Sequence, residues 1–306
     1  MEAYKLHEFV AHDMEVNCLS FGPRSNEIMA TGGEDCKVNI WRVGNANNLW
    51  SLGSNKGAIE SLCFDNDEQC VVSGSISGSL KVFDLNQGKL ARSLRGHQVG
   101  ISSIHYHPYG EFIASGSADT TMKVWDVRQK LCIQTYTGHK KEITCVRFSP
   151  DGRWVASSAR DGTLLIWDLI AGKLLNTIFL GVSTYPTDFQ FNPADLFLAA
   201  SLSNKSVRVF DMESMDKIGH TPPETGQLRG MTFCTHDPTS ICVASLDAIK
   251  LYGWDPVHVK AQQPMSWDRI STMQISSEGE LLAGAYNSNF VSIYKVDLKA
   301  LAANAA

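Results

Sequence analysis

The eight cysteines include no pair two residues apart and no Cys/His spacing of the zinc-binding kind, so neither a dithiol motif nor a structural metal site is expected. Basic residues are outnumbered: 27 Lys and Arg stand against 32 Asp and Glu, a formal net charge of −5 at pH 7. That balance disfavours nucleic-acid binding driven by overall charge. There is no apolar run long enough to span a bilayer and no secretory leader, so a cytosolic chain without membrane contact and with reduced thiols is expected. Phosphate-loop, HExxH and GxSxG motifs are also missing. No catalytic residue, metal or cofactor is therefore assigned, and the chain reads as a non-enzyme.

What is present is repetition. Residues 96–128, GHQVGISSIHYHPYGEFIASGSADTTMKVWDVR, form one complete unit. A Gly-His pair opens it, an alternating apolar run follows, a turn occupies 107–110, a second strand leads to a turn bearing Asp119, and a third strand ends in Trp125-Asp126. Strand, turn, strand, turn, strand with fixed polar markers is the pattern of a WD40 blade. The aromatic closing each third strand sets the register: Trp41, Phe83, Trp125, Trp167, Phe210, Tyr252 and Tyr294. The gaps are 42, 42, 42, 43, 42 and 42 residues. Seven copies at this period specify an all-β, seven-bladed WD40 β-propeller over residues 1–299, because one blade cannot bury both faces of its sheet. Cys18 and Cys145 occupy the same place in their repeats, and buried free thiols are expected.

Each connection to the next repeat carries a fourth strand, as at residues 89–94 and 131–136. After Tyr294 none remains, whereas residues 4–10 before His12 form a spare one. The N-terminal segment is therefore expected to complete the last blade and remove an open sheet edge. Residues 300–306 are an alanine-rich tail that frays, extends as a helix, or marks a truncation before a missing C-terminal helical domain.

His97, a serine (Ser115 or Ser117), Asp119 and Trp125 invite a Ser-His-Asp reading. The same set recurs as His139, Ser157 or Ser158, Asp161 and Trp167, and again as His12, Thr31, Asp35 and Trp41. A nucleophilic triad needs one oriented base and one oxyanion hole, so it occurs once. A set repeated around a ring is expected to be a structural tetrad, a buried chain of hydrogen bonds. The other four repeats lack the full set; Ser77, Asn204 and Ser288 stand at the Asp position of three. Apolar packing is expected to substitute there and to leave those blades softer.

Function then falls to the rim formed by the loops before each first strand, represented by Asp13, Glu15, Lys56, Gln98, Lys140, Glu142, Ser183, Tyr185, Gln227, Trp267 and Arg269, with Glu34, Ala118 and Arg160 beside them. Trp, Tyr and Arg dominate interaction hot spots, so the candidate partner contacts are Lys140, Arg160, Tyr185, Trp267 and Arg269. Trp267, in the polar loop MSWDR, is expected to be exposed.

The chain resembles the WD40 domain of the regulatory, non-catalytic subunit of katanin, a microtubule-severing AAA ATPase. The resemblance is carried by AYKLHEFVAH, ATGGEDCKVNIW, HYHPYGEFIASGSADT, WDVRQKLCIQTYTGH and the unusual LYGWDP of the sixth repeat. GSNKG in repeat two and LGVSTYP in repeat five depart from the family's Gly-His pattern. The resemblance implies a module that directs the catalytic AAA ATPase subunit, held mainly through a region absent here, to microtubules or microtubule-associated proteins. Its implied places are the cytoplasm and cytoskeleton: spindle pole, centrosome or basal body, and axoneme. A second resemblance is to propellers that dock on cullin-4 ubiquitin ligase adaptors through a box ending in WDxR, here Trp125-Asp126-Val127-Arg128; it implies a substrate receptor using Asp126 and Arg128. A generic assembly scaffold is the third reading.

Overall fold

In the computed structural model, residues 3–303 are described, except 54, 182, 235, 236, 238, 255, 277 and 278. Asp255 of the LYGWDP string, Ser54 and Val182 of the two departing loops, and positions 304–306 of the tail thus lie outside the described residues.

Seven four-stranded antiparallel sheets follow one another around a ring. Blade 3 shows the unit: Ile101–Tyr106, Phe112–Ser117, Met122–Asp126 and Leu131–Tyr136, each paired with the next. The strands are short, alternating and bounded by turn residues, which is why each pairs with its chain neighbour.

Two irregularities recur. The first strand of every blade bulges after its first residue, between Ile101 and Ser103 in blade 3 and between Ile59 and Ser61 in blade 2. A bulge re-aims the extra residue. Those residues are Asn17, Glu60, Ser102, Thr144, Thr187, Arg229 and Ser271, and all line a central cavity of about 760 Å³. Polar side chains are thereby turned into the axis while the apolar residues beside them stay between blades. A second bulge falls at the register aromatic of blades 1 to 6, for example between Val124 and Trp125.

Blades meet through close-packed second and first strands. A Cβ at Gly32 would lie 2.6 Å from Ile59 of the next blade, so only glycine permits that approach. Ser61 and Thr144 hydroxyls donate to the carbonyls of Ile101 and Pro186 in the following blades, both at 2.9 Å. The apolar clusters accordingly span blade boundaries, as where Val72 and Leu80 pack with Ile101, Ile113 and Trp125.

The ring closes as expected from the spare N-terminal strand. Ala3–Val10 pairs antiparallel with Phe290–Asp297, from Val10 opposite Phe290 to Ala3 opposite Val296. Phe9 enters the core against Trp41, with ring centroids 4.6 Å apart. The tail does not fray at residue 298: Leu298–Ala303 is a short helix whose first turn is capped by Asp297, which accepts from Lys299 N at 3.0 Å and Ala300 N at 3.1 Å. Leu298 and Leu301 are buried with Ala261 and Trp267.

Five of the eight thiols match the expectation of burial: Cys18, Cys63, Cys145, Cys234 and Cys242. Cys36 and Cys70 are half-buried and Cys132 is exposed on an outer strand, where one face meets solvent. Among the described residues no helix is long and apolar enough to cross a membrane.

Candidate protein-interaction surface

The His/Ser/Asp sets must be placed first, since they would otherwise suggest chemistry. In blade 3 the indole N–H of Trp125 donates to Ser115 Oγ at 2.8 Å. His97 Nε2 lies 2.7 Å from the same hydroxyl, and His97 Nδ1 lies 2.9 Å from Asp119. Ser115, not Ser117, is thus the member; Ser117 donates to Val99 O instead. Blade 4 repeats the chain through Trp167, Ser157 and His139 to Asp161, and blade 1 through Trp41, Thr31 and His12 to Asp35. The hydroxyls of all three are fully buried and already hold an indole donor. No substrate reaches them, so the geometry is that of a buried network joining the third strand to the loop face.

Electrostatics agrees. Burial lowers the His97 and His139 imidazoles, against the raising effect of their aspartates. For Asp119, burial works upward, but hydrogen bonds from Thr121, Gln98 N and His97 outweigh it and bring the carboxyl down to about 2. A neutral imidazole donating Nδ1–H to a carboxylate and accepting from a serine hydroxyl satisfies every member.

Three of the four incomplete blades correct one expectation: polar groups, not apolar packing alone, stand in for the missing members. In blade 6 the position of the histidine is taken by Glu224, which is buried. Tyr252 replaces the tryptophan, and its longer hydroxyl reaches past Val243 to donate to Glu224, while Lys250 pairs with the same carboxylate at 2.7 Å. In blade 2 Ser75, Ser77 and Ser79 share hydrogen bonds of 2.7 to 3.1 Å. In blade 5 Asn204 accepts from Ser206. Glu224 escaped the sequence reading because the template sought histidine; the signal was an acidic residue four before the first strand with Lys250 and Tyr252 in the same repeat.

Trp267 is a second correction. It is buried, its indole N–H donates to Ser245 O of blade 6 at 2.8 Å, and it packs edge-on to Tyr294 at 5.7 Å. In blade 7 it packs beside Tyr294, the residue at the place of the tryptophan in blade 3. It is a core residue and leaves the list of partner contacts.

The remaining candidates fall into two groups. Arg160 of blade 4 and Tyr185 of blade 5 meet, with Lys140 on the same loop face of blade 4. Arg160 pairs with Glu142 at 3.1 Å and lies 5.9 Å from the centroid of the Tyr185 ring. Lys140 is exposed, but its backbone is pinned by a 2.8 Å bond from its N–H to Asp161, so a tetrad sets its direction. Arg269 sits apart in blade 7, over Tyr286 at 5.4 Å, at the wall of the central cavity. Within that cavity Arg147 pairs with Asp188 at 3.1 Å and donates from Nε to Phe189 O, tying blade 4 to blade 5. Asp126 accepts from the backbone N–H groups of Arg128 and Gln129, which makes it a turn residue, while the Arg128 side chain is exposed. Among the described residues no three His, Cys, Asp or Glu side chains gather as a metal site.

Seven bulged sheets, a polar axial cavity and tetrads linking third strands to one loop face define a WD-repeat β-propeller. A WD domain, G-beta repeat model matches residues 3–42. The model described as IFT122 first beta-propeller matches residues 58–305, and the chain belongs to that family. Over shorter stretches it is similar to the Katanin p80 WD40 repeat-containing subunit B1 homolog KTN80.3 of Arabidopsis thaliana, 49% identical over 76 residues, and to Katanin p80 WD40 repeat-containing subunit B1 of Danio rerio, 46% over 79 residues. Those stretches are 25% and 26% of this chain and 9% and 11% of the two proteins. The human Angio-associated migratory cell protein is 33% identical over 78 residues, 26% of this chain and 18% of that protein.

Proposed function

We propose that the chain is a non-enzymatic protein-interaction module of a katanin-type regulatory subunit, carrying an AAA ATPase subunit to microtubule-organising sites or axonemes. The observation that carries this reading is the loop face itself: tetrads fix its backbone, and Arg160 and Tyr185 stand on it as a preorganised aromatic–cation pair. Such a group is the composition of an interaction hot spot. The local similarity to katanin p80 WD40 repeat-containing subunits supports the choice of complex. A net charge of −5 disfavours gripping an acidic surface by bulk charge, so attachment runs through a partner protein. The ATPase contact is assigned mainly to a region outside this propeller.

The test is co-precipitation of the tagged chain with the ATPase subunit and with microtubule-associated proteins, against a chain carrying Arg160→Ala and Tyr185→Ala. Recovery of such partners by the wild type and their loss in the variant supports the reading; recovery of none overturns it. The exposed Arg128 side chain favours one second reading, docking on a cullin-4 ligase adaptor. Arg128→Ala should then abolish adaptor capture without lowering the melting temperature, and absence of adaptor from the wild-type precipitate ends that reading.

A further inference from the structure

Blade 2 has an amide and a hydroxyl at the histidine and serine places of a tetrad, Phe83 in place of the indole, and no carboxylate among them. By strand register Asn55 stands where His97 stands in blade 3, Ser73 where Ser115 stands and Ser77 where Asp119 stands. Ser73 donates to Asn55 Oδ1 at 3.5 Å, and Asn55 Nδ2, the atom matching the histidine Nδ1, is buried without a hydrogen-bond partner. A buried donor left in this state is costly. In blades 3 and 4 the aspartate also accepts from two backbone N–H groups, those of Gln98 and Thr121 or of Lys140 and Thr163, at 2.8 to 3.0 Å. The equivalent N–H groups in blade 2 belong to Lys56 and Ser79. The Ser77 side chain is shorter than aspartate, and its hydroxyl is engaged with Ser75 and Ser79.

The surroundings are positive and, to one side, apolar. Lys56 and Arg95 are exposed and Lys81 is buried beside them. Burial, and then the charges of Lys56 and Arg95, hold the Lys81 ammonium below the ordinary lysine range. Next to this cluster Ile76 and Val99 are 55% and 48% exposed, with Gly57 and Gly100 packed around Ile76, so apolar surface continues from the charged spot.

We propose that the top of blade 2 binds a carboxylate presented by another protein: an Asp or Glu side chain of a partner segment takes the place that Asp119 holds in blade 3. The donor set is that of a carboxylate already seen in three blades, and the shelf of Ile76 and Val99 suits a polypeptide better than a free ion. The inference rests on the reading of the loop face as an interaction surface. It names the chemistry of the partner: an acidic segment with an apolar residue nearby.

The site is tested without any partner. The backbone amide signals of Lys56 and Ser79 in the whole chain are followed by NMR during titration with acetate and, separately, inorganic phosphate at constant ionic strength. Saturable shifts with acetate are expected in the wild type. Ser77→Asp supplies the carboxylate in cis and should weaken acetate binding at least roughly tenfold while raising the melting temperature; Lys56→Ala should weaken binding without that rise. No saturable shift, or an unchanged response in Ser77→Asp, overturns the proposal. Saturation by phosphate with none by acetate overturns the carboxylate assignment in favour of a phosphorylated ligand. Failure here leaves the Arg160 and Tyr185 precipitation test standing, so the two claims fail separately.

Discussion

Asp119→Ala removes the terminal acceptor of the blade 3 tetrad, and its cost follows from what each donor does next. Asp119 accepts from His97 Nδ1 at 2.9 Å, Gln98 N at 3.0 Å, Thr121 N at 3.0 Å and Thr121 Oγ1 at 2.7 Å. The two backbone donors lie at the loop face and meet water. The His97 ring does not, being buried, and its nearest other acceptor is Thr121 Oγ1 at 3.4 Å. One buried donor left with a poor partner costs about 1–3 kcal/mol, or a melting temperature lower by roughly 2–5 °C in a chain of this size. His97→Ala should cost a similar amount, because Ser115 keeps the Trp125 donor but loses its acceptor. The double variant should fall short of the sum by about 1 kcal/mol, since both changes break one network. The assay is denaturant unfolding of the four proteins at pH 7. Additivity within about 0.3 kcal/mol would refute a shared network. Acidification carries the same logic with a definite sign. The folded Asp119 carboxyl, at about 2, lies below its ordinary value of 3.8, so its contribution is complete above 3.8 and is lost as pH falls toward 2. His97 and His139 are lowered too, so the unfolded chain takes up their protons first and stability declines below the ordinary imidazole value of 6.5. The contributions of these three groups should therefore fall on acidification from pH 7, while Glu60 and Asp65, whose carboxyls burial raises, contribute with the opposite sign.

Deleting residues 1–10 should expose the edge of Phe290–Asp297 and remove Phe9 from the core, giving aggregation or a large loss of thermal stability; monomeric elution with unchanged melting would contradict ring closure. Trp267→Ala should cost about 3–5 kcal/mol by emptying a packed core position, measured by denaturant unfolding, and a cost near zero would contradict its burial. Glu224→Ala should cost about 3–5 kcal/mol, more than Tyr252→Phe, because it leaves Lys250 half-buried without its counter-charge; equal effects of the two variants would refute that ordering.

Most of the architecture was legible because its determinants repeat. The aromatic register, the His-to-Asp spacing and the spare N-terminal strand each follow from local patterns, and all three appear where those patterns place them. What escaped depended on contacts between blades. Trp267 looks exposed in its own polar loop; Ser245 of blade 6, Tyr294 and the cluster with Ala261, Leu298 and Leu301 bury it. Arg147 and Asp188 occupy different repeats, and nothing in either repeat announces a pair. The seven bulges that turn polar residues into the axial cavity are likewise a property of register between strands and not of any single strand. Of the residues proposed as partner contacts, Arg160 and Tyr185 meet, while Arg269 lies in a different blade.

The most direct measurement of the central claim is the intracellular distribution of the fluorescently tagged chain, wild type against Arg160→Ala/Tyr185→Ala, with melting curves of both proteins recorded alongside. Both side chains reach the surface, and their only described mutual contacts are the Glu142 pair and the ring contact, so folding should be nearly unchanged. The wild type should concentrate at microtubule-organising structures or axonemes and the variant should be diffuse at equal melting temperature. A wild-type chain with no cytoskeletal enrichment would contradict the proposed function.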